Sequence, residues 1–187
     1  GAILVSVDTP WEQTAIRSEK IERTQPFTFT RSILQAALSK SAELSTGRVL
    51  ADQILIGTVL DGYDIKSPIG KRASRISVIV LSSSIEEQVV LGVGAILRKS
   101  FYTNDIRFVS AAGARYQAFR VVFPHEEDYL LIDSAGRALT TALVRRRLLV
   151  SLEQGVVTSA PAKTDPWLVL LENSLESITK RYPLPRT

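Results

Sequence analysis

The chain has 187 residues, 45% hydrophobic and 22% charged, a balance that fits one folded domain and excludes the low-hydropathy, high-charge regime of disordered proteins. It has no cysteine, which excludes disulfides, zinc–cysteine clusters, iron–sulfur ligation and thiol nucleophiles. A net charge of +4 gives a mildly basic surface suited to phosphates or an acidic partner, although the excess is spread along the chain.

The sequence starts at Gly1 and has no methionine, so Gly1 is expected to follow a removed initiator, a processing cut or a boundary within a larger product. The opening residues carry no basic leader-type region, and no stretch reaches the roughly 18 apolar residues that span a bilayer. Ile3 to Val7 is β-prone, Asp8-Thr9-Pro10 reads as a turn, and a polar segment runs to Gln25. Residues 1–29 are therefore expected to form an N-terminal strand and extended arm. Thr30 is a candidate N-cap for a helix over 31–45, with Gly47 as its stop. Val49 to Leu60 is nearly continuous in apolar, branched side chains, and its second half, 54–60, reads as a buried strand. Asp61-Gly62 and Ser67-Pro-Ile-Gly70 mark turns before the strand 75–81. Ser84 and Glu87 have capping-box spacing, and Ile85, Val89, Val93 and Ile96 continue at helical intervals, which predicts a helix over 85–99.

Ile106 to Ser110 and Arg115 to Phe123 read as two strands of a hairpin about the small-residue link Ala111-Ala-Gly-Ala114, with a further strand at Tyr129 to Asp133. Arg137 to Glu153 reads as a helix. Projected at 100° per residue, it places Leu139, Ala142, Leu143, Leu149 and Val150 on one face and Val144, Leu148 and Leu152 on the other. Val156 to Lys163 is a small-residue linker. Asp165 caps a last helix over 166–180 with Pro166 in its first position. The expected fold class is α+β: a mainly antiparallel sheet of about four strands packed with three to four helices, in a single globular domain over 30–181, followed by an extended tail over 182–187. Strands and helices do not alternate regularly, which favours this over a parallel α/β fold.

Chemistry-bearing residues are scarce. His125 is the single histidine, and His125-Glu-Glu-Asp128, following Pro124, reads as a solvated acidic turn and not a metal site. No serine elbow or phosphate-binding lysine loop is present. Gly92-Val-Gly94 sits inside the predicted helix, where its glycines serve close packing, and Ser82-Ser-Ser84 reads as a helix cap. Asp61 and Asp64 beside Gly62 read as turn residues. No catalytic residue, cofactor or metal is assigned.

These features point first to a non-enzymatic structural or assembly subunit acting through protein–protein contacts, with itself or another protein as partner and Val144, Leu148 and Leu152 as the interface stripe. The alternative is a nucleic-acid-binding protein using Lys71, Arg72, Arg75, Arg98, Lys99, Arg145, Arg146 and Arg147. A small-ligand enzyme without a recognisable motif ranks third, since carboxylates from distant segments can converge after folding. Nothing in the sequence assigns a compartment.

Overall fold

The computed structural model describes residues 1–42, 44–157 and 165–182. In chain order its elements are β1 (Ile3–Val7), β2 (Glu12–Thr28), α1 (Arg31–Ser41), β3 (Arg48–Leu60), β4 (Tyr63–Asp64), β5 (Arg72–Glu86), α2 (Glu87–Phe101), β6 (Ile106–Ser110), α3 (Ala111–Val122), β7 (Tyr129–Ala135), β8 (Ala138–Arg145), β9 (Leu148–Val156) and α4 (Pro166–Thr179). The fold is α+β and mostly antiparallel.

Strand β5 organises the core because it is apolar on both faces. Its even-numbered Ile76, Val78 and Val80 join Phe29, Ala37 of α1 and Leu60. On the opposite face Leu81 meets Ile56, Tyr116, Ala142, Val144 and Leu149. A period of two therefore sends alternate side chains into two separate apolar layers. The sheet order is β2–β5–β3–β4, with α1 on one side and β7–β8–β9 and α3 on the other. The polar segment expected as an arm is extended, and it belongs to the sheet: β2 pairs antiparallel with β5 from Glu12↔Ile85 to Glu22↔Arg75, then again at Phe27↔Ala73. A two-stranded parallel pair, β1 with β6, lies outside this sheet. Helix α4 covers β8 and β9. A Cβ on Gly155 would lie 2.6 Å from Leu170 Cδ1, so a larger residue there would push the Leu170 side chain aside.

Several expectations hold. Thr30 caps α1, accepting from Ile33 N. Asp165 caps α4, accepting from Trp167 N, with Pro166 in the first turn. Asp61 and Gly62 turn the chain at φ +47° and +94°, and the Asp61 carboxylate accepts from Ser74 N and Arg75 N. The helix over 85–99 is present as α2, but its start differs. Ser82, Ser83 and Ser84 continue β5 as buried strand residues, and the cap position is Glu86, whose side chain makes no capping bond. Ser84 Oγ instead accepts from Arg48 Nε at 2.9 Å. Gly94 is buried in α2 but Gly92 has open space around it, so close packing does not account for both glycines. The proposed linker from 158 onward and the tail beyond Tyr182 lie outside the described residues.

Two elements are corrected. Residues 115–123 are not a strand: Ser110 accepts from Gly113 N and starts α3. Along this helix Tyr116, Phe119 and Phe123 fall at helical spacing, and the Phe119 ring stacks on Phe123 and Tyr129 at 4.6 Å and 4.4 Å. Of the aromatic and branched content that suggested a strand, Tyr116 is buried and Phe119 half-buried on the packing face, while Val121 and Val122 at the end of the helix are exposed. Residues 137–153 are not a helix but the hairpin β8–β9. Every residue from Ala138 to Val144 is buried, because β8 has a layer on each side. Such a strand reads as a continuous apolar run, which at helical projection gives two opposed apolar faces.

Candidate functional site

The β8–β9 turn consists of Arg146 and Arg147 at φ +49° and +66°, the left-handed region that a two-residue hairpin turn demands and that asparagine and glycine occupy most readily. The acidic loop after α3 holds it there. Asp128 Oδ1 accepts from Arg146 N at 2.8 Å, Glu127 O accepts from Arg147 N at 2.8 Å, and the Arg147 guanidinium lies 3.3 Å from the Glu127 carboxylate. His125 and its acidic neighbours are exposed, as expected of a solvated turn.

Beside this turn, the edge of β3 is open. β4 pairs only with Val59 and Leu60, and a bulge lies between Leu55 and Gly57. Bulges re-aim side chains at such edges. Leu148 closes down on the backbone: a Cβ at Gly57 would stand 2.6 Å from Leu148 Cδ2. The result is a cleft of about 510 Å³ whose polar lining is Thr58, Asp64, Lys66, Arg120, Glu127, Arg146 and Arg147. Thr58 is buried, and its hydroxyl has no hydrogen-bond partner among the described residues.

The structure brings Arg146 and Arg147 to the cleft but not the other basic residues singled out in the sequence. Lys71, Arg72 and Arg75 lie at the start of β5, where Arg72 donates to Pro26 O at 3.0 Å. Arg98 and Lys99 lie in the last turn of α2, and Arg145 ends β8. Lys66 and Arg120 were not anticipated. Lys66 sits in the loop after β4, and Arg120 is reached only once α3 is recognised as a helix. The interface stripe of Val144, Leu148 and Leu152 required helical spacing, which is absent. Val144 is 1% exposed in the core, whereas Leu148 and Leu152 are half-buried on β9.

A second constellation, also invisible in sequence, joins distant carboxylates. Glu12 is buried, and its Oε1 accepts from Thr14 Oγ1 and, at 2.5 Å, from Ser110 Oγ. Asp52 Oδ2 accepts from Ser110 N at 2.9 Å. Arg115 bridges Asp8 and Asp133 at 2.9 Å and 2.8 Å. Burial raises the Glu12 carboxyl above its ordinary range, a shift only partly offset by the Ser110 and Thr14 hydroxyls, because charge is disfavoured away from water. Burial likewise pushes the Tyr129 phenol up to about 12. Among the described residues no group of three or more His, Cys, Asp or Glu is placed to hold a metal ion.

The third feature is apolar surface. On α2, Leu91 is 58% and Ile96 65% exposed, and Phe101 and Tyr102 beyond them are 63% and 95% exposed. Among the described residues, no helix is long and apolar enough to cross a membrane.

No family model matches the chain, and no curated protein matches it. Solved structures do. One is a protein with actin-like ATPase fold and unknown function from Bacteroides thetaiotaomicron VPI-5482, 8% identical with a TM-score of 0.44, over 94% of this chain and 55% of that one. Another is a PilM–PilN type IV pilus biogenesis complex, 14% identical with a TM-score of 0.46, over 83% of this chain and 43% of that one. The chain thus spans about half the length of the structures it is similar to. At these scores neither likeness bears on its activity.

Proposed function

We propose that the chain is a structural or assembly subunit that works through protein–protein contacts, made by the outward side of α2 and the aromatic pair that ends it. The observation that supports this is the composition of that side. Charge is confined to the ends of the helix, Glu87 in the first turn and Arg98 and Lys99 in the last. Between them runs Leu91-Gly-Val-Gly-Ala-Ile-Leu97, with Leu91 and Ile96 standing out from Gly92 and Ala95, which are themselves exposed. Small residues between two large ones make a surface that a partner can approach closely, and apolar area of this kind is stabilised by removal from water. The basic end favours an acidic rim on the partner.

The first partner to test is a second copy. Sedimentation equilibrium should show concentration-dependent self-association, weakened at least tenfold by the double substitution Leu91→Glu and Ile96→Glu, with the circular dichroism spectrum unchanged because both side chains lie outside the core. A wild type that stays monomeric, and is no less soluble than the double variant, would overturn the reading.

A further inference from the structure

We propose that the cleft at the open edge of β3 binds a small phosphorylated ligand, its phosphate held by Lys66, Arg120, Arg146 and Arg147. Three features carry this beyond a surface groove. The lining sets four cationic side chains against two carboxylates, and Glu127 is already engaged by Arg147 at 3.3 Å. Among the described residues neither the Lys66 ammonium nor the Arg146 guanidinium has an ion-pair or hydrogen-bond partner, and Arg120 faces two neutral phenols and no carboxylate, its guanidinium 5.6 Å from the Tyr116 ring centroid and within electrostatic reach of Tyr129. With Arg147 and Glu127 paired, the lining still sets Lys66, Arg120 and Arg146 against the single carboxylate of Asp64, and an anion offsets that excess of like charge while a neutral ligand does not. Guanidinium forks match phosphate oxygens in pairs, and an ammonium adds a compact charge.

The second feature is the turn itself. Two successive arginines occupy left-handed backbone at φ +49° and +66°, where asparagine and glycine would sit without strain, and outliers of this sort collect at binding sites. The third is shape. At about 510 Å³ the cleft falls within the volume range of small-molecule sites. It also has an apolar wall, formed by Leu55, Ile56, Ile65 and Leu148, against which the body of a phosphate ester can lie. The lining does not include Lys71, Arg72, Arg75, Arg98 or Lys99, so the cationic character is local to the cleft.

Isothermal titration calorimetry of the whole chain with pyrophosphate and with phenyl phosphate tests this. The expected result is saturable one-to-one binding that weakens as salt is added. Backbone amide shifts should change mainly at residues 55–58, 64–66 and 146–148. Replacing Lys66 and Arg120 together by glutamine should weaken binding at least tenfold, while the same replacement at Lys71 and Arg72 should change it less than twofold. Both sites are exposed, so neither pair holds the fold. Absence of saturable binding at millimolar pyrophosphate, shifts centred elsewhere, or equal weakening by the two double variants would each overturn the proposal.

Discussion

Replacing Arg146 by asparagine and Arg147 by glycine should make the protein more stable and the cleft less able to hold an anion. Left-handed backbone costs an ordinary L-residue about 1–2 kcal/mol, so the two positions at φ +49° and +66° store about 2–4 kcal/mol. Asparagine recovers part of this and glycine nearly all of its share. Against the gain stands the extra freedom glycine gives the unfolded chain, about 0.5–1 kcal/mol. The loss of the solvent-exposed Arg147–Glu127 pair costs less than about 1 kcal/mol. The Asp128 and Glu127 acceptors bond backbone N–H groups, so they survive the exchange. The net expectation is stabilisation of about 1 kcal/mol, a rise in Tm of about 2–4 °C for a chain of this size. Urea unfolding followed by the fluorescence of Trp11 and Trp167, with thermal circular dichroism in parallel, measures it. A variant less stable than the wild type would refute the reasoning, because the turn would then not be strained. A variant more stable but equally good at binding pyrophosphate would uphold the strain and refute the assignment of these two arginines as phosphate ligands.

Three further outcomes are expected. Because the folded Glu12 carboxyl titrates above its ordinary value, its neutral form is favoured, so its contribution is fully present below the unfolded value near 4.5 and lost as pH rises through the folded one. Glu12→Gln should therefore stabilise the protein at pH 8, with the gap closing towards pH 4, and a gap independent of pH would contradict this. Gly57→Ala should cost about 1–3 kcal/mol by overpacking against Leu148, and less in a Leu148→Ala background. Equal costs in both backgrounds, read from urea midpoints in a double-mutant cycle, would show that Leu148 is not what the new methyl meets. Treatment with a chelator should leave the circular dichroism spectrum and Tm unchanged, since the described residues offer no three-ligand cluster, and loss of tightly bound zinc with unfolding would count against it.

Capping chemistry and short branched runs bounded by turn residues were legible because they act over a few residues. Thr30 and Asp165 start helices in the structure, and the branched run around Ile76 to Leu81 is the central strand. The hairpin β8–β9 was not legible, since a strand buried on both faces carries no alternation and its turn residues, Arg146 and Arg147, carry none of the usual glycine or asparagine signal. The cleft followed the hairpin into obscurity. Lys66, Arg120 and Arg146 come from three elements separated in sequence, and Arg120 is placed only when α3 is a helix, which its Ser110 cap and helically spaced aromatics could have indicated.

The acidic run at 126–128 and the basic run at 145–147 are complementary in sequence, and in the structure they meet unequally. Asp128 and the Glu127 carbonyl are directed at backbone N–H groups of the turn, and the Glu127 side chain pairs with Arg147. The acidic loop thus fixes where the turn stands without neutralising the guanidinium of Arg146. A charge-neutralising clasp would have paired Arg146 with Asp128 side chain to side chain and left the cleft with one free cation fewer. Positioning through the backbone keeps the left-handed turn in place while its first arginine remains available, and an anion site needs that separation: geometry set by hydrogen bonds to the main chain, charge reserved for the ligand.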